Sequence, residues 1–130
     1  MESKDKKFIV NKNKTILDSF KNALNGIKSA YATEYHMVIH CYFAVAVIIC
    51  AALFQISYVE WLICFILIGL VLAFELINTA IESIVNMITT EYNVYAKMAK
   101  DTSAGAVLVV SIASAIIGLI IFVPKFFELF

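Results

Sequence analysis

The stretch FELINTAIESIVN, Phe74 to Asn86, sets two carboxylates and two amides inside a run that otherwise reads as lipid-facing helix. At about 100° per residue, Glu75, Asn78, Glu82 and Asn86 share an arc of about 80° on one helix face, with Thr79 near its edge. Ile77, Ile81, Ile84 and Ile88 fall on the opposite face, fit for packing or lipid. A charged carboxylate near the centre of a membrane helix costs on the order of 2.5 to 3.5 kcal/mol, so Glu75 and Glu82 are expected to face a bundle interior or an aqueous cleft.

The surrounding chain is what makes that cost relevant. Of its 130 residues, 62% are hydrophobic and the mean hydropathy is +0.90, which excludes an ordinary soluble domain. Apolar stretches at about 39–58, 61–88 and 104–127 each approach or exceed the roughly 20 residues that cross a hydrocarbon core. The expectation is one all-α membrane domain, 1–130, with three transmembrane helices. Residues 1–14 are polar and Lys-rich, expected to be flexible or loosely held by anionic headgroups. Over 15–33, Ile16, Phe20, Ala23, Leu24, Ile27, Ala30 and Tyr31 recur at helical spacing, predicting an amphipathic helix lying in the interface. Gly26 interrupts it at a place open to close packing, and Pro124 is expected to end the last span.

All ten basic residues are lysines: seven precede the first span, two (Lys97 and Lys100) lie between the second and third, and Lys125 stands alone at the far end. The turn around Ser57 to Glu60 has none. By the positive-inside rule the N-terminus and second loop are cytoplasmic and the C-terminus is outside, in a multi-pass cell-membrane topology. The first 38 residues lack the apolar core of a signal peptide, so the spans are expected to direct insertion. Cys41, Cys50 and Cys64 fit no metal spacing and read as small hydrophobes. Gly105, Ser111, Ala115 and Gly118 give the third span small surfaces for close helix approach.

Two kinds of role suit the polar face. A carboxylate in apolar surroundings serves as a general base, and a second one with oxygen-bearing neighbours suits a hard cation such as Mg²⁺ shared with phosphates. The plainer reading is an interhelical hydrogen-bond clamp, for which the asparagines alone would serve. Lys100 and Asp101, at the start of the third span, read either as anchor and helix cap or as a phosphate-holding cation with its orienting carboxylate. Glu34 is a headgroup-region acid or a partner to Glu82. His36 and His40, four apart, could suggest a metal pair, although no second motif completes it. There is no phosphate-binding glycine loop, so the residues define a membrane-embedded carboxylate site without naming its reaction.

The run FELINTAIESIVN, followed by Glu91-Tyr92, AKMAKD at 96–101 and AGAVLV at 104–109, resembles the prokaryotic diacylglycerol kinase family of small three-span lipid kinases. SFKNALNGIKSA, AGAVLV and GLIIFVPK are similar to its Gram-positive branch, whose members resemble undecaprenol kinases. The resemblance implies ATP-dependent phosphorylation of a lipid hydroxyl, of undecaprenol or else diacylglycerol, at the cytoplasmic surface. It implies Glu75 as catalytic base, Glu34 and Glu82 as Mg²⁺ ligands, and Asn78, Glu91, Tyr92, Asn93, Lys100 and Asp101 as nucleotide contacts. It also implies a homotrimer with sites between subunits; no nucleic-acid partner is expected. Three positions depart from the family pattern: Asn86 stands where Asp is usual, and His36 and Val38 replace the Asn and Arg of the Gram-positive branch. The competing classes are a small proton-coupled transporter, with Glu75 as proton carrier, and a noncatalytic assembly subunit. A carrier has no need of Lys100 and Asp101, and an assembly subunit has none of Glu75.

Overall fold

The computed structural model describes residues 15–130, and the expectation for residues 1–14 lies outside that range. Four helices follow in order: α1 (Ile16–Thr33), α2 (Tyr35–Leu53), α3 (Tyr58–Ile88) and α4 (Val94–Phe127). No strand occurs among the described residues. This outcome follows from the solvent, because a chain crossing hydrocarbon must satisfy its backbone internally. Three of the helices, α2, α3 and α4, are long and apolar enough to cross a membrane. With 31 and 34 residues, α3 and α4 extend about 46 and 51 Å, well beyond a hydrocarbon core of about 30 Å.

Thr15 starts α1 through a reciprocal cap: its hydroxyl accepts from the backbone of Asp18, whose carboxylate accepts from the backbone of Thr15. Within α1 only Ala30 is buried, while Ile16, Leu17, Phe20 and Leu24 stay exposed. A side chain at Gly26 would meet nothing within 4 Å, so no close approach uses that glycine within the chain. Glu34, in extended conformation, is the one-residue bend between α1 and α2.

The turn between α2 and α3 falls at residues 54–57, ahead of the position suggested by the end of the apolar run. Gln55 adopts a positive φ of 49°, and the amide of Ile56 donates to the carbonyl of Ala51 at 3.3 Å while that of Gln55 donates to Ala52 at 3.3 Å. This closes α2 in the manner of a Schellman motif, with its expected apolar contact between Ile56 and Ala51. Ser57 then caps α3, its hydroxyl accepting from Glu60 and the Glu60 carboxylate accepting from Ser57 at 2.7 Å. At the other end of the chain α4 does not stop at Pro124. It continues to Phe127, because the Pro124 carbonyl still accepts from Glu128 at 3.0 Å and the proline ring affects only the turn before it.

Helices α3 and α4 form an antiparallel hairpin. Lys125 meets Glu60 at 3.5 Å at one end, Cys64 and Ile121 pack one turn further in, and Ser103 bonds Asn78 at 2.7 Å toward the other. Helix α2 joins through Ala51, which is wholly buried against Ile56, Cys64 and Ile121. Cys64 thus behaves as a small core hydrophobe.

The turn carries a testable consequence. Gln55→Gly removes the side-chain penalty of the left-handed conformation and is expected to stabilise the protein by about 1 kcal/mol. The measurement is the thermal unfolding midpoint in detergent; a lower midpoint would show that the Gln55 side chain contributes packing that outweighs its strain.

Candidate functional site

The polar stripe of α3 is a built structure. Glu75 is 2% exposed and Asn78 7%, although both sit on a helix whose other faces are open. Asn78 lies one helical turn from each neighbour. Its Nδ2 donates to Glu82 Oε1 at 3.1 Å, and its Oδ1 accepts from the hydroxyl of Ser103 on α4 at 2.7 Å. One turn further on, Lys100 Nζ donates to Asn86 Oδ1 at 2.6 Å. The α3–α4 hairpin therefore converts a stripe on one helix into a ladder of polar rungs between two.

Helix α2 supplies the other wall. His40 Nε2 lies 4.0 Å from Glu75 Oε2, and His36 stands one turn before His40 on the same helix. Glu34 owes its place to the bend between α1 and α2, and its side chain makes no capping bond there. An apolar cleft of about 540 Å³ runs between the three long helices, with His40, Leu72 and Ser111 among its lining and Phe43, Val47 and Phe122 farther along.

The structure brings Asn78, Glu82 and Lys100 into this ladder, with Glu75 buried one turn from Asn78 on the same helix and Glu34 at the bend that leads into α2. Asp101 goes elsewhere. It pairs with Lys97, one turn away on the exposed face of α4, rather than orienting Lys100. Asn93 is the cap of α4, its Oδ1 accepting from Tyr95 and Ala96 at 2.9 and 3.1 Å. Glu91 bonds Thr89 through its backbone, and Tyr92 is 83% exposed in the same connection. These loop residues lie beyond the ladder's Lys100 end. Ser103 and His40 belong to the site and have no marking in the polar pattern of α3; only helix pairing reveals them.

Among the described residues no group of three or more His, Cys, Asp or Glu side chains gathers as a metal cluster. Glu34 and Glu82 nonetheless offer what Mg²⁺ prefers. That ion is commonly held by one or two carboxylates and completes its shell with water and substrate phosphates. Asn78 occupies one oxygen of Glu82 and leaves the other available. The donor set is hard oxygen throughout, so the residues fit the ion.

Fold and site together define an all-helical integral membrane protein with a carboxylate and amide centre buried between its spans. The chain belongs to the prokaryotic diacylglycerol kinase family, whose model matches residues 21–122. It is 45% identical to the undecaprenol kinase of Bacillus subtilis over 125 residues, covering 96% of this chain and 99% of that one. It is 37% identical to a diacylglycerol kinase of Synechocystis over 88% of this chain and 66% of the relative. With the diacylglycerol kinase of Haemophilus influenzae it shares 30% identity, covering 81% and 86% of the two chains.

Because Asn86 meets Lys100 directly, Asn86→Asp converts a singly charged hydrogen bond into an ion pair. A gain of about 0.2–1 kcal/mol is expected at low ionic strength, shrinking as salt is added. Unfolding midpoints of both proteins at low and high salt check it, and a salt-independent difference would refute the assignment.

Proposed function

We propose that this chain is a lipid kinase that transfers the γ-phosphate of Mg·ATP to the hydroxyl of undecaprenol at the cytoplasmic membrane face, yielding undecaprenyl phosphate. The observation that carries this reading is Glu75, a carboxylate 2% exposed in the middle of a spanning helix, on the same helix face as the polar groups that continue through Asn78 and Glu82 to Asn86 and Lys100. The undecaprenol kinase relative, matched over 99% of its length, supports the lipid. Diacylglycerol is the second candidate, on the strength of the two diacylglycerol kinases.

Phosphoryl transfer needs positioning, charge and one proton acceptor more than covalent chemistry. In this reading Glu75 takes the proton of the lipid hydroxyl as that oxygen attacks the γ-phosphorus and ADP leaves. Glu34 and Glu82 would hold Mg²⁺, which would supply charge neutralisation at the phosphate oxygens. Asn78 steadies Glu82. Lys100 attracts the phosphate chain, and Glu91, Tyr92, Asn93 and Asp101, in the loop and first turns beyond it, are the proposed nucleotide contacts. The apolar cleft that opens beside His40 suits an acceptor with a long apolar tail. What favours a kinase over a proton carrier is the run of polar groups from Glu75 toward Lys100, which a carrier does not need.

The same reading has the N-terminus and the α3–α4 connection cytoplasmic, from the N-terminal lysines and from Lys97 and Lys100 at the head of α4, and the C-terminus outside. Helix α1 then lies in the interface, its exposed Ile16, Phe20 and Leu24 turned to lipid. A homotrimer is supported by the open small surfaces of α4, where a side chain at Gly105 or Gly118 would meet nothing within 4 Å of its own chain.

The test is transfer of labelled γ-phosphate from Mg·ATP to undecaprenol and to diacylglycerol in mixed micelles. Glu75→Gln is expected to lower the rate by about 10²- to 10⁴-fold, and chelation of the metal is expected to abolish transfer reversibly. The product ratio identifies the lipid. A folded parent protein that phosphorylates neither would refute the reading.

A further inference from the structure

An amide has no preferred direction of its own, since its oxygen and nitrogen differ little in size, so neighbouring groups decide which way it points. Glu82, when ionised, can only accept, and it therefore requires Nδ2 of Asn78 on its side. The oxygen of the same amide then faces α4, where it needs a donor. Ser103 is there, 7% exposed, and carries a single hydroxyl proton.

That proton has two acceptors within reach: Asn78 Oδ1 at 2.7 Å and the carbonyl of Lys100 at 3.0 Å. If it goes to the carbonyl, Ser103 offers Asn78 only lone pairs. The amide then turns its nitrogen toward Ser103, and its oxygen comes to face Glu82, acceptor against acceptor. The shorter contact belongs to the arrangement that serves Glu82. We propose that Ser103 is a positioning residue of the phosphoryl-transfer site, whose hydroxyl fixes the direction of the Asn78 amide and through it holds the Glu82 carboxylate for the metal. This rests on Glu82 as a metal ligand in the reading above. The bonds of the Ser103 hydroxyl go to Asn78 and to the Lys100 carbonyl, so that it acts by keeping a buried donor aimed at a carboxylate.

Partners of this kind typically change metal affinity or activity by about 10- to 100-fold when removed. The experiment uses Mn²⁺ with the non-hydrolysable analogue adenylyl imidodiphosphate, following free Mn²⁺ by electron paramagnetic resonance, beside steady-state lipid phosphorylation. Ser103→Ala is expected to weaken Mn²⁺–nucleotide binding and lower kcat, each by about 10-fold or more, with the KM for lipid unchanged. Ser103→Thr, which keeps the hydroxyl, is expected to restore both. On an Asn78→Ala background Ser103→Ala is expected to add nothing, because the amide it orients is gone. Unaltered metal binding in folded Ser103→Ala would overturn the proposal. So would a loss that threonine does not restore, or a further loss on the Asn78→Ala background, since either assigns the effect to packing. If the parent binds Mn²⁺ and nucleotide but phosphorylates no lipid, the assigned reaction fails while the binding comparison still judges Ser103.

Discussion

Hydrocarbon offers no hydrogen bonds, and the position of Asn78 shows what that demands of the rest of the chain. Its amide is buried within a spanning helix and has both ends used, one on Glu82 of its own helix and the other on Ser103 of the next. Apolar burial does little to hold helices together in lipid, because lipid tails are as apolar as leucine; close packing and such bonds must do it. The amide therefore serves the hairpin and the site by the same two contacts. A plain interhelical clamp would explain the asparagine. It would not explain Glu75, whose carboxylate is more deeply buried and faces a histidine rather than a serine or amide.

The register of the hairpin follows from rungs of different chemistry. Glu60 with Lys125 and Asn86 with Lys100 mark its two ends, where long side chains can reach an interface. Between them, Cys64 against Ile121 is apolar and Asn78 against Ser103 is polar. A slip of one turn would set Asn78 against Val107 or Ala99 and leave its buried oxygen without a donor. Polar groups in the interior thus specify one alignment among several that packing alone would tolerate. Helix α2 closes on this hairpin at Ala51 and again near His40, and the apolar cleft runs alongside both levels.

Much of this could be read from the chain. The three spans follow from length and hydropathy, and the face shared by Glu75, Asn78 and Glu82 follows from helical geometry, because both depend only on residues near one another in sequence. Ser103 is unmarked in the sequence, and His40 is marked only as half of a candidate metal pair, for the complementary reason: each gains its place from a neighbour 25 or 35 positions away. Asn93 carries a further role that local chemistry makes legible: an asparagine before a helix is a cap, and its Oδ1 accepts from Tyr95 and Ala96. Gln55 adopts a conformation that glycine would have announced, so the turn it makes had no composition signal.

The lysines at the head of α4 divide their work according to partner. Lys97 is matched by a carboxylate, Asp101, on the exposed face, and an exposed pair of this kind contributes little and is easily screened. Lys100 is held instead by the neutral oxygen of Asn86. An amide directs the ammonium without cancelling its charge, whereas an aspartate there would bind it more firmly and neutralise it. The positive field at the end of the ladder therefore depends on Asn86 remaining uncharged. For a site that must attract a polyanionic phosphate chain, a lysine that is oriented but electrostatically unspent is worth more than one locked in an ion pair.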